Sequence, residues 1–225
     1  MSSERAPSLR TGKARLDRET IIAAALELAS APGVTTISFR ELGGHLGVDP
    51  TAVYRHFRSK DELMRALLDH LALLGIDEIE VPPEQWRERL RALGLATLRQ
   101  FERYPAIGVE AVVLTTNGPG EHRAIELMLD GFTRAGLSGD DLVRHYALLA
   151  AHILSTASNI ARARADRGEA AGGLWLDAPI LVDPREYPLV AAHIPLLSEI
   201  RDEEIFLAGV DMILDSAERT AARHP

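Results

Sequence analysis

Three helix starts crowd into the stretch from Ser38 to Leu67, and that crowding constrains the chain more than any other feature. Ser38 with Glu41 three residues on is a capping box. Asp49 before Pro50 is an N-cap with proline at the first helical position, and Ser59 with Glu62 is a second capping box. Starts at this spacing leave room only for two short helices followed by a longer one. Phe39, Leu42 and Leu46 fall on one face of the first short helix, and Val53 and Phe57 on one face of the second. Gly47, between them, tolerates the left-handed conformation of a tight turn, so the expectation is a helix, a turn and a second helix crossing steeply. Gly43 sits where two such helices approach most closely, and a small residue suits that crossing.

Upstream, Asp17 caps a helix whose apolar face runs through Ile21, Ala24, Ala25, Leu28 and Ala29 and which Pro32 and Gly33 end. It supports the helix-turn-helix from below. Residues 1–16 are polar, carry Arg10, Lys13 and Arg15, and are expected to form a flexible arm. Downstream, Leu63, Leu67, Leu71 and Leu74 repeat at helical spacing, so a linking helix over 59–76 leaves the small N-terminal domain (17–63) for a larger one (64–225). Val81, Pro82 and Pro83 mark its latest end. From Glu84 the pattern is helical almost throughout: Trp86 to Tyr104, Pro105 to Thr115, Gly120 to Ala135, Gly139 to Arg167, Pro188 to Ile200 and Asp202 to Ala222. Gly168 to Pro188, with its glycines and prolines, is expected to be a long loop. The fold class is therefore all-α: an N-terminal three-helix helix-turn-helix domain plus a larger helical domain.

Charge is distributed unevenly. The chain carries −8 overall, yet residues 1–60 hold nine Lys or Arg against six Asp or Glu, while the remainder holds sixteen against twenty-seven. A basic head on an acidic body fits contact with a polyanion at one end only. The absence of cysteine excludes disulfides, thiolate metal sites and thiol nucleophiles, and it suits a reducing cytosol. The most apolar run, Tyr146 to Ala161, is interrupted by His152 and Asn159 and is too short to span a bilayer, so no membrane association is expected, and no signal peptide is visible.

No catalytic constellation is apparent in the body. Glu121 and His122 are adjacent on a helix start and cannot face one another, and neither a metal site nor a cofactor is expected. His145, His152 and Asn159 recur at sevens, with Ser155 between the last two, along one face of the longest helix. These polar groups, together with Tyr104, are the candidates for lining a ligand cavity, or else for hydrogen-bonded polar positions in a core or interface.

Ile21 and Ala25, then Phe39, Arg40, Leu42, Leu46, Gly47 and Val48, then Ala52, Val53, Tyr54, His56 and Phe57, then Lys60, Asp61 and Leu63 resemble the TetR family of bacterial transcriptional regulators. The wording LGVDPTAVYRHFRSKDEL is close to that family's, and EEIFLAGVDMILDSAE resembles the last helix of tetracycline-repressor-like C-terminal domains. Gly43 with Gly44 departs from the family's usual alanine and longer residue, and a glycine inside a helix costs about 1 kcal/mol relative to alanine.

The resemblance implies a reading helix in the major groove of double-stranded DNA. Pro50, Thr51, Ala52 and Arg55 would meet bases, Tyr54 and His56 the DNA backbone, and Arg40 and Lys60 phosphates. It implies a homodimer through the eighth and last helices, the latter offering Ile205, Val210, Ile213 and Leu214, and hence a palindromic operator. It also implies a cytoplasmic, nucleoid-associated repressor released by a small apolar or amphipathic effector. The alternatives are an effector-independent activator or architectural protein of the same fold, or an enzyme that happens to carry a helix-turn-helix.

Overall fold

The computed structural model describes residues 16–31, 33–167, 173–176 and 178–223. The arm with Arg10, Lys13 and Arg15, as well as Pro32 and residues 168–172 of the expected loop, lie outside the described residues. Among the described residues ten α-helices follow in chain order: α1 Arg18–Ala29, α2 Phe39–Leu46, α3 Pro50–Tyr54, α4 Lys60–Asp77, α5 Trp86–Arg103, α6 Pro105–Gly108, α7 Pro119–Arg134, α8 Gly139–Arg167, α9 Pro188–Leu197 and α10 Asp202–Ala221. A 3-10 turn, Val109–Val112, continues α6.

The caps act as their chemistry requires. Asp17 accepts from the Thr20 N–H at 2.8 Å, and Ser38 with Glu41 completes both halves of its capping box. Gly47 takes φ +65, the left-handed turn residue between α2 and α3. At α4 only half of the expected box forms. Ser59 Oγ accepts from the Glu62 N–H at 3.1 Å, whereas the Glu62 carboxylate goes to the Arg58 N–H (2.8 Å) and the Arg18 guanidinium (2.8 Å). A charge-assisted partner from α1 outcompetes the local amide.

Arg18 also donates to the His56 carbonyl at 2.5 Å and lies over the Phe57 ring, 4.0 Å from its centroid, so one side chain bridges α1, α4 and the turn that follows α3. The two glycines of α2 differ in kind. A Cβ on Gly43 would stand 3.0 Å from the Val48 carbonyl oxygen and 3.2 Å from Pro50 N, the tight crossing expected of it, while one on Gly44 would meet nothing within 4 Å.

Buried Ile21, Ala25, Leu42, Val53 and Phe57 pack on Leu63, Met64 and Leu67 of α4 to make the head's core. Further along α4, Leu68 and Leu71 belong to the same continuous cluster, which runs into the body through Leu90 and Leu98 of α5, Phe132 of α7, Leu149 and Ile153 of α8 and Phe206, Val210 and Leu214 of α10. Of the four apolar residues expected to present the last helix to a partner, Val210 and Leu214 face this inner core and Ile205 is exposed. α4 ends at Asp77, four residues before Val81, and α9 ends at Leu197, three before Ile200. The described part of the 168–188 segment pairs with the start of α10 through Trp175 N–H to the Ile200 carbonyl and Asp202 N–H to the Gly173 carbonyl, both 2.9 Å.

Candidate nucleic-acid interface and body cavity

α3 is short because Pro50 opens it and Arg55, still in helical conformation, already closes it. Val53 and Phe57 are fully buried and pin the helix to the head, which turns Thr51, Tyr54 and Arg55 outward; Pro50, Ala52 and His56 are half-buried. Tyr54 is 54% exposed, and its ring meets Phe39 edge-on at 4.4 Å, so the hydroxyl-bearing end is held by packing of the inner edge. Thr51 Oγ donates to Asp49 Oδ1 at 2.6 Å. Its proton is thereby committed, leaving the methyl group and the lone pairs to face out. Arg40 at the start of α2, Arg55 and Lys60 at the start of α4 are exposed and enter no salt bridge among the described residues. With one of these cations on α3 and the others at the starts of α2 and α4, the exposed side of the helix-turn-helix carries the positive charge that phosphate contacts require.

In the body, α4, α5, α7 and α8 enclose a cavity of about 140 Å³. Apolar side chains dominate its wall, among them Leu68, Leu93, Phe101, Ile125, Met128 and Ile153. One corner is polar. Asp69, buried among the leucines of α4, accepts at Oδ1 from Thr116 Oγ and from the Glu121 N–H, each at 3.0 Å. Glu121 Oε2 in turn accepts from the N–H groups of Thr116 (2.7 Å) and Asn117 (2.6 Å) and lies 2.9 Å from Thr116 Oγ. Gly118 and Gly120 permit this approach, because a Cβ on the first would collide with the Asp69 carboxylate and one on the second with the Asp69 carbonyl oxygen.

Residues 21–67 match the family described as bacterial regulatory proteins, tetR family, and residues 81–220 match the tetracyclin repressor-like C-terminal domain. The chain belongs to the TetR family. An HTH-type transcriptional repressor of Mycobacterium tuberculosis is 28% identical over 217 residues, 93% of this chain and 83% of the relative. The tetracycline repressor protein class A from transposon 1721 of Escherichia coli is 30% identical over 207 residues, 89% and 90% of the two chains. Among solved structures, the TetR regulator SCO7222 of Streptomyces coelicolor superposes with TM-score 0.71 at 27% identity, covering 94% of this chain and 100% of that one. The S. coelicolor TetR family protein ActR, solved in complex with actinorhodin, shares the fold at TM-score 0.72 and 21% identity, covering 92% and 99%.

As a TetR-family member the chain is a DNA-binding transcriptional regulator, and the fold carries with it dimerisation and small-molecule binding by the body. None of Tyr104, His145, His152, Ser155 and Asn159 lines the cavity. His145 is 4% exposed and is spoken for by the Asp141 carbonyl at 2.7 Å and Ser216 Oγ at 3.3 Å; His152 stacks on Phe206 and bonds its carbonyl at 2.9 Å. Both therefore face α10. Ser155, bonded back to the Ala151 carbonyl at 2.6 Å, and Asn159 are on the exposed side, and Tyr104 is buried where α5 meets α6. The face of α8 that meets the cavity carries Tyr146, Ala150, Ile153 and Leu154 instead. A heptad stripe fixes a face but not which neighbour it meets, and here the cavity takes the stripe one residue over.

The polar cavity residues that the sequence reading passed over are Asp69, Thr97, Gln100, Thr116, Glu121 and Tyr146. Asp69 and Gln100 carry a recognisable signal, each being a polar group set within the apolar face of its helix. Among the described residues, no group of three His, Asp or Glu gathers as a metal ion would need, and no helix is long and apolar enough to cross a membrane.

Proposed function

We propose that this TetR-family chain is a repressor that holds a palindromic operator as a homodimer and leaves it when a small molecule enters the body cavity. The observation that carries the reading is the exposed face of α3, presenting Thr51, Tyr54 and Arg55, together with the exposed cations Arg40 and Lys60 at the starts of the neighbouring helices. In this reading residues 17–63 form the head and 64–225 the effector-binding and dimerisation body. Pro50, Thr51, Ala52 and Arg55 meet base edges, with arginine suited to bidentate contact with guanine. Tyr54, His56, Arg40 and Lys60 hold phosphates. The described relatives in Mycobacterium and Escherichia are named as repressors, which favours repression over activation.

The dimer seam runs along α8 and α10. Leu148 on α8 and Ile205 and Met212 on α10 are large apolar side chains left exposed, and Ser155 and Asn159 lie on the same outer face of α8 as Leu148. A two-fold pair sets the reading helices roughly one DNA turn apart, about 34–36 Å. The effector acts by population shift, binding better to the conformation whose head spacing does not match the operator. The protein works as a regulator rather than as an enzyme, in the cytoplasm at the nucleoid.

The test is binding of the purified protein to duplex DNA from upstream of its own coding region, against random duplex, at two salt concentrations. Preference for the upstream duplex, with affinity falling as salt rises, is expected. Equal affinity for random DNA sinks the reading.

A further inference from the structure

We propose that the leading turn of α3 reads thymine by its C5-methyl group, with the methyl of Thr51 as the contact and Pro50 and Ala52 completing an apolar surface around it. This rests on the reading of α3 as the helix that enters the major groove, and it names what that helix recognises there.

Thr51 is exposed, yet its polar end is already engaged. The hydroxyl donates to Asp49 Oδ1 at 2.6 Å, and the same carboxylate oxygen accepts the Thr51 backbone N–H at 2.8 Å. A hydroxyl has one proton to give, and a bond of this length to a carboxylate is among the strong ones, so that proton is not on offer to a base. The threonine Cβ carries only a hydroxyl and a methyl group. With the hydroxyl turned back onto the residue that caps the helix, the methyl is what Thr51 presents outward.

The neighbours of Thr51 extend the same character. Pro50 and Ala52 are half-buried, so each shows part of a purely apolar side chain, and Val53 is buried in the head. From Pro50 to Val53, therefore, no side chain has a proton free to give, and the first exposed donors on this helix are Tyr54 and Arg55 at its far end. Residues at the front of a reading helix are the ones that meet base edges. In the major groove guanine, adenine and cytosine present hydrogen-bonding groups, and thymine alone adds a methyl. A guanine set against this turn would leave its N7 and O6 acceptors facing methyl groups, which costs the desolvation of both. A thymine meets it apolar surface to apolar surface.

The experiment first selects the duplexes that the purified full-length protein prefers from a randomised library. Each thymine of the selected half-site is then replaced singly by deoxyuridine, which removes the methyl and keeps every hydrogen-bonding group. At one position at least, this is expected to weaken binding about threefold to fivefold, the share of one buried methyl. At that position 5-methylcytosine should bind more tightly than cytosine by a similar factor. Thr51→Ser keeps a hydroxyl for Asp49 and removes only the methyl, so it should lose most of the discrimination between thymine and deoxyuridine. Thr51→Val keeps the methyl and removes the hydroxyl, so it should retain it. Indifference to deoxyuridine at every position overturns the proposal. So does a penalty undiminished in Thr51→Ser, or one abolished in Thr51→Val, which would make the hydroxyl the reader. The DNA substitutions alter no residue, so their outcome is independent of how the variants fold. If no duplex is preferred over random sequence, the groove-reading role of α3 fails and this inference with it, whereas a preferred duplex that ignores the thymine methyl refutes only the inference.

Discussion

Asp69 Oδ1 accepts the backbone N–H of Glu121 at 3.0 Å, and through this bond the middle of α4 is fastened to the first turn of α7. A buried carboxylate at a helix N-terminus also meets the positive end of the helix dipole, so the contact is both a hydrogen bond and a charge–dipole attraction. Asp69→Ala leaves the Thr116 hydroxyl and the Glu121 N–H with one acceptor fewer in a part-buried site. The expected cost is about 1–3 kcal/mol, read as a lowered urea midpoint at unchanged slope.

Gly120 tests the same junction sterically. Its Cβ would strike the Asp69 carbonyl, a backbone atom that cannot rotate away, so Gly120→Ala should push α4 and α7 apart and cost about 1–3 kcal/mol. Thermal unfolding checks this, and a neutral substitution would show that the two helices are free to separate.

The paired glycines of α2 should answer in opposite directions. Gly44 faces open space, so Gly44→Ala is expected to stabilise the head by about 0.5–1 kcal/mol through helix propensity alone. Gly43→Val would drive side-chain atoms into the Val48 carbonyl and Pro50 and should lower the unfolding temperature and weaken DNA binding together.

On DNA, Tyr54→Ala and Lys60→Ala should weaken binding to every sequence alike, with Lys60→Ala also reducing the salt slope by about one. Arg55→Ala should change which sequence is preferred, by about 1–3 kcal/mol at one position. Competition binding against a randomised duplex library separates the two behaviours, and a uniform loss for Arg55→Ala refutes its role in reading bases.

Acid should loosen the head first. The Arg18 hydrogen bond holds the Glu62 carboxyl below its ordinary value of 4.5, and bonds from Ser38 and Thr51 do the same for Glu41 and Asp49. A carboxylate whose pKa is lower folded than unfolded contributes stability that is fully present above the unfolded value and is lost as pH falls through the folded one. Unfolding curves of the wild type and Glu62→Gln should therefore differ above about pH 5 and converge as the pH drops below the ordinary carboxylate range. A difference that persists unchanged into strong acid would remove the Arg18–Glu62 pair from the account.

The head was legible because its signals are local. Ser38, Asp49 and Ser59 announce helix starts through side-chain chemistry that acts over three residues, and Gly47 marks the turn by the one conformation it alone adopts cheaply. The Glu62 partner was misread because Arg18 lies forty-four positions away and nothing local announces it. In the body the helices could be placed from periodicity, but the stripe of His145, His152 and Asn159 could not be assigned a neighbour. α8 is packed by α5, α7 and α10 on different sides, so a polar residue on it has several places to point, and the choice is made by tertiary packing.

α4 is continuous from Lys60 to Asp77, with Leu63 and Met64 in the core of the head and Leu68 and Asp69 in the cavity wall barely a turn further on. The core of the head and the wall of the cavity therefore occupy adjacent turns of one unbroken rod, and no seam exists at which to exchange them. A chimera that grafts this head onto the body of another regulator must place its junction before Ser59 or after Glu78, because a splice inside the helix would transplant half of one pocket along with half of one core.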